Sequence, residues 1–143
     1  MITFRIPLNG LKTSTNLFYV GTHWSKRKEL KDSILSYARV FCKKSRAIER
    51  WPVSIRYRFI FETRPLDTLN TAILAKMFED SLCTLEILPD DSPQYVAESI
   101  LEVIKQGPGK SSPADKKAPK TRPKAKEDWL EIFIIPYEFK PDN

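Results

Sequence analysis

Between residues 64 and 96 the chain reads R-P-L-D-T-L-N-T-A-I-L-A-K-M-F-E-D-S-L-C-T-L-E-I-L-P-D-D-S-P-Q-Y-V. Asp67 stands where a helical pattern begins, and Lys76 and Asp80 are four residues apart, so they share a helix face. Asp90 and Asp91 follow in a stretch flanked by Pro89 and Pro93. Carboxylates are hard oxygen donors for a divalent cation, and a lysine supplies a point charge for a phosphate oxygen. This short piece of chain therefore carries the residue types that a cation- and phosphate-handling site needs. Each also has a plainer use. Asp67 suits an N-cap, accepting a backbone N–H from the first helical turn. Lys76 and Asp80 suit an exposed ion pair worth under about 1 kcal/mol. Asp90-Asp91 suits a solvated turn.

The elements that must position these residues are legible from periodicity. Residues 2–8 alternate, with Ile2, Phe4, Ile6 and Leu8 against Thr3, Arg5 and Pro7, which predicts a half-buried strand ended by Asn9-Gly10. Residues 11–23 read as a loop, with His23-Trp24 suited to packing and capping at a helix start. Leu30, Ile34, Leu35, Tyr37, Ala38 and Phe41 predict a helix over 24–44. Lys26, Arg27, Lys28 and Lys31 decorate its first half, where they oppose the helix dipole. They serve either a solvated face or an anionic partner.

Residues 53–61 alternate again as a strand, and a helix is expected from about 68 to 85. Its apolar positions, Leu69, Ile73, Leu74, Met77, Phe78, Leu82 and Leu85, form a broad face suited to packing on a sheet. Residues 86–94 have turn composition, 95–104 favour a strand, and 129–135 (W-L-E-I-F-I-I) form a strand apolar on both faces, hence central or covered. The expected fold is a single α+β domain over 1–143, with a mixed sheet and two main helices in β-α-β-α-β-β order. The last two strands are expected to pair as a hairpin with a long tip.

That tip, about 106–127, holds the charge. Residues 105–126 carry eight basic side chains and one acid, Asp115, for a net +7, whereas the rest of the chain carries sixteen basic and seventeen acidic residues. Rich in Lys, Pro, Ser and Gly, it has too little apolar surface to offset its ordering entropy and is expected to be a flexible basic loop. Two cysteines, Cys42 and Cys83, sit among apolar residues and suit buried thiols in a reducing cytoplasm. One histidine and no C-x-x-C speak against a zinc site. No apolar run is long enough to cross a membrane, and the first residues read as a strand rather than a signal peptide.

D67-x-x-N70-x5-K76-x3-D80-x-L82, followed by I87-L88-x-D90-D91-S92-x3-V96, resembles the RusA-like Holliday-junction resolvases, especially their phage and prophage relatives. The segment T15-N16-L-F-Y-V-G-T-H23-W24-S25-K26-R27-K28 is similar to a second pattern of that subgroup. The resemblance covers roughly residues 2–104 and the final strand. It implies a RusA-like fold and a homodimeric endodeoxyribonuclease that places paired cuts across four-way DNA junctions in recombination and repair. It also implies Mg²⁺ or Mn²⁺ as cofactor, and the cytoplasm of a bacterial or phage-infected cell as the place of action. By position, Asp67 and Asp91 match catalytic, metal-binding aspartates, and Asp80 and Asp90 match further acidic positions assigned to the metal. Lys76 matches the lysine that faces the scissile phosphate, and Asn70 the asparagine of D-x-D-N.

The chain departs from the pattern at Leu69, where the second aspartate of D-x-D-N is expected. An apolar side chain there lowers the charge that attracts a cation, with Asp90, Asp80 or Glu62 as the available replacements. The alternative is therefore a RusA-like DNA-binding protein without the chemistry. A second alternative is a small interaction protein whose acidic turn is only surface. DNA contacts are assigned to Lys26, Arg27 and Lys28 on the first helix and to Lys116, Lys117, Lys120, Arg122 and Lys124 on the basic loop, whose plainer use is a solubilising insertion.

Overall fold

The computed structural model describes residues 1–8, 11, 24–43, 47–63, 66, 68–106 and 127–141, with the backbone alone for 24–26. In chain order the elements are β1 (Ile2–Pro7), α1 (Trp24–Phe41), β2 (Val53–Phe61), α2 (Thr68–Thr84), β3 (Val96–Lys105) and β4 (Trp129–Pro136). In β2, Val53, Ile55, Tyr57, Phe59 and Phe61 are buried and the residues between them half-buried, the expected period-two division. The buried residues of β1, β2 and β4 and the apolar stripes of α1 (Leu30, Ile34, Ala38) and α2 (Leu74, Phe78, Leu82) form one core cluster. No described helix is long and apolar enough to cross a membrane.

The sheet order is β1-β4-β2-β3. Strand β4 runs antiparallel to both of its neighbours, and β3 runs parallel to β2. Parallel neighbours need a crossover, and α2 supplies it, making β2-α2-β3 a β-α-β unit. The expected hairpin between the last two strands is not formed, because β2 lies between β3 and β4. The registers Phe61↔Lys105 and Ile60↔Trp129 put the end of β3 and the start of β4 at one end of the sheet, two strand spacings or about 10 Å apart. A long connection can bridge that gap. The apolar β4 then takes the interior place that its two-sided hydrophobicity suits.

On the sheet face away from the core, register aligns Arg5, Glu131, Arg58 and Glu102 in one row across the four strands. Arg58 Nε lies 2.9 Å from Glu102, and the Arg5 guanidinium sits 4.1 Å from the centre of the Trp129 ring. Alternating signs let this row satisfy itself while half-exposed.

Helix α2 ends by reversal. Glu86 N–H donates to Cys83 O (3.0 Å), and Ile87 N–H donates to Leu82 O (3.0 Å), which brings buried Ile87 back over buried Leu82. Glu86 sits at φ 59°, a left-handed conformation that costs an L-residue roughly 1–2 kcal/mol and glycine almost nothing. Glu86→Gly is therefore expected to raise the stability by about 0.5–1 kcal/mol after the added flexibility of the unfolded chain is counted. An upward shift of the urea midpoint checks this, and a downward shift would contradict it.

Candidate functional site

Helix α2 carries Leu69, Ile73, Lys76 and Asp80 at i, i+4, i+7 and i+11, a single stripe. Its other side, with Leu74, Met77, Phe78, Ser81 and Leu82, is buried. Leu69 is not part of the core as its hydropathy predicts. It is 51% exposed, because it belongs to the outer stripe with the lysine.

The turn after α2 is held by Ile87 and Leu88, both buried, and by Tyr95 and Val96 N–H groups donating to Ser92 O (2.9 Å each). Thus anchored, it presents Asp91 to the outer stripe of α2. Lys76 Nζ donates to Asp91 Oδ2 at 2.6 Å and lies 3.2 Å from Asp80 Oδ1 and 3.5 Å from Glu79 Oε1. The ammonium is therefore surrounded by three carboxylates. The hydrogen bond to Asp91 comes first among the causes that raise the Lys76 pKa, followed among the raising ones by that to Asp80. In return, that hydrogen bond holds the Asp91 carboxyl below the usual carboxylate range. Asp90 is exposed, and its Oδ1 accepts the Asp91 backbone N–H at 2.9 Å.

Of the residues singled out by sequence, the structure thus joins Lys76, Asp80 and Asp91, with Asp90 adjoining. Asn70 is buried at the first turn of α2. Arg27 and Lys28 are exposed on α1. Asp67, His23, the side chain of Lys26, and Lys116, Lys117, Lys120, Arg122 and Lys124 lie outside the described residues. Cys83 is half-buried rather than buried as expected. Burial first, then the carboxylates of Asp91, Glu79, Asp80 and Asp90, push its thiol pKa up. Cys42 is buried, and its pKa is pushed up to about 12. Neither thiol has the electropositive setting of a reactive cysteine.

Two residues escaped the sequence reading. Glu79 is buried on α2 and accepts the Tyr57 hydroxyl from β2 (2.9 Å) and the Ser99 hydroxyl from β3 (3.2 Å) on Oε2. A cavity of about 250 Å³ between α2 and β3 is lined by Tyr57, Ala75, Lys76, Glu79 and Ser99 among others. A larger hollow of about 450 Å³, lined by Met1, Ile48, Arg50 and Pro136 among others, holds none of the candidate residues. Asp128, 1% exposed just before β4, accepts Glu62 N–H (2.9 Å), Thr63 N–H (3.0 Å) and the Thr63 hydroxyl (2.6 Å). Its backbone oxygen accepts Leu8 N–H at 2.8 Å. Asp128 thereby fixes the chain where it leaves β2 toward α2.

The donors in this region are carboxylate oxygens, the class a hard cation takes. Among the described residues, however, no three Asp, Glu, His or Cys side chains converge to hold a metal ion. The cation that the carboxylates of the described site hold is the Lys76 ammonium. Comparison with family models gives no match to this chain, and no curated protein matches it either.

Proposed function

We propose that the chain is a RusA-like endodeoxyribonuclease that acts on branched DNA as a homodimer. The observation that carries this is the contact of Lys76 with Asp91 at 2.6 Å, beside Asp80. The two motifs of the resemblance, K-x3-D and the D-D pair, meet in one exposed place. Lys76 presents a positive charge at the surface suited to a phosphate oxygen, and Asp91 restrains it until a phosphate competes. A divalent cation, when bound, would neutralise the phosphate and activate a water. Asp67 and Asp91 are the residues assigned to it, with Asp80 and Asp90 near Asp91.

Incubating a labelled four-way junction with the protein and Mg²⁺ tests the proposal, and paired cuts are the expected result. A second reading, junction binding without cleavage, is favoured by Leu69, an exposed apolar side chain where the resemblance expects a carboxylate. In both readings the basic loop is an electrostatic arm for the DNA backbone. Residues 107–126 carry seven basic side chains. Deleting them is expected to weaken junction binding and to flatten the slope of log affinity against log salt by several units. Binding and slope equal to those of the full chain would contradict the arm.

A further inference from the structure

The core around α2 contains two polar groups, Tyr57 and Glu79, that packing alone does not require. Tyr57 continues the buried row Val53, Ile55, Phe59 and Phe61, where a phenylalanine would fill the same space. Glu79 lies on the buried side of α2, where an apolar residue would serve. Ser99, exposed on β3, adds a second hydroxyl contact. Burying a carboxylate and a hydroxyl costs free energy unless they are paired, and apolar replacements of such networks are often as stable or more so. The geometry gives the network an outlet. Both hydroxyls donate to Glu79 Oε2, which leaves Oε1 facing Lys76 Nζ at 3.5 Å. Glu79 has its side chain only 11% exposed and twice hydrogen-bonded, whereas Lys76 is 54% exposed on a stem with four rotatable bonds.

We propose that Tyr57 and Ser99 fix Glu79, and that Glu79 positions the Lys76 ammonium from the sheet side, so that the lysine stays in place when a phosphate displaces it from Asp91 and Asp80. The inference rests on the proposed phosphodiester chemistry for its purpose, but not for its geometry. Glu79 is a positioning residue acting through Lys76. Asp91 and Asp80 are exposed partners that a ligand can replace, while Glu79 is buried and held by the Tyr57 and Ser99 hydroxyls. The raised pKa of Lys76, to which Glu79 contributes after Asp91 and Asp80, agrees with this arrangement.

The test compares Lys76 with Lys28 and Lys31, exposed on α1, in the full chain. Acetylation rates at fixed pH are read residue by residue by mass spectrometry, for the native protein, Glu79→Gln, Tyr57→Phe and Asp91→Asn. Glu79→Gln keeps the shape and loses the charge, and Tyr57→Phe keeps the packing and loses the hydroxyl. Losing Glu79 lowers the lysine pKa. The ratio of Lys76 to Lys28 acetylation is expected to rise about two- to threefold in Glu79→Gln, less than the tenfold of one pKa unit, because Glu79 is the smallest of the named causes that raise the lysine. It should rise less in Tyr57→Phe, with Asp91→Asn as the positive control. A purely structural role would leave this ratio unchanged in variants with native circular dichroism, and that result would overturn the proposal. If Glu79→Gln does not fold, Tyr57→Phe and Ser99→Ala decide it by the same ratio. Junction cleavage is read in parallel, with kcat expected to fall and KM to hold. A changed ratio with no cleavage by any protein supports the positioning role and removes the nuclease reading. An unchanged ratio with native cleavage does the reverse.

Discussion

Asp128→Ala is expected to lower the stability of the fold by about 3–5 kcal/mol, a large share of the roughly 5–15 kcal/mol that holds a domain of this size. The carboxylate is 1% exposed and accepts from Glu62 N–H, Thr63 N–H and the Thr63 hydroxyl. Hydrogen bonds to a charged acceptor are each worth about 1.5–3 kcal/mol, and removing the acceptor leaves buried donors unsatisfied. Alanine also frees the end of β2 from the start of β4, while the Leu8 N–H keeps its bond to the backbone oxygen of residue 128. Asp128→Asn keeps one acceptor oxygen and should lose less. Urea denaturation measures both variants. A loss below about 1 kcal/mol in Asp128→Ala would show that water replaces the carboxylate and that the anchor is dispensable.

Lys76→Met is the change with the largest expected effect on function. One ammonium serves Asp91, Asp80 and Glu79. Methionine keeps much of the stem and removes the charge, leaving three carboxylates facing one another. Stability should fall modestly, since the ammonium is half-exposed and exposed pairs are worth under about 1 kcal/mol. Under the proposed chemistry the cost falls on cleavage. Charge developing on the phosphoryl oxygens loses its protein-borne cation, and removal of one such stabilising group typically lowers kcat about 10²–10³-fold. A Lys76→Met protein that folds and cuts junctions within about threefold of the native rate would place the charge that serves the phosphate elsewhere.

Local periodicity made most of the elements legible. Alternation in 2–8 and 53–61 marked two strands and their buried rows, because one-sided burial imposes period two. The two-sided hydrophobicity of W-L-E-I-F-I-I marked β4 as interior. Long-range order was not legible. Nothing within β3 or β4 records that β2 separates them, since a connection of more than twenty residues does not force its ends to be neighbours. Within the site, the four-residue spacing of Lys76 and Asp80 predicted their contact, and the acidic pair at 90–91 proved to be close by. Glu79 was overlooked because a helical glutamate is by default a surface residue. Its signal was joint: a tyrosine in a phenylalanine-like position of β2 and an acid at an apolar position of α2. Asp128 was hidden at the border of the basic loop, where composition speaks of solvent. Leu69 looked like core because it fits a broad apolar face by hydropathy, whereas its position puts it on the outer stripe with Lys76 and Asp80.

The most direct test of the account is cleavage of a labelled four-way junction in Mg²⁺ or Mn²⁺ by the native chain, Asp91→Asn and Leu69→Asp. The account predicts paired cuts by the native protein that Asp91→Asn abolishes, with Leu69→Asp at least as active. Activity in Leu69→Asp alone would mean a scaffold whose site lacks one carboxylate, with junction binding as the remaining function. Absence of cleavage and of junction binding in all three proteins would contradict the account, and would leave the Lys76–Asp91 contact as a surface ion pair.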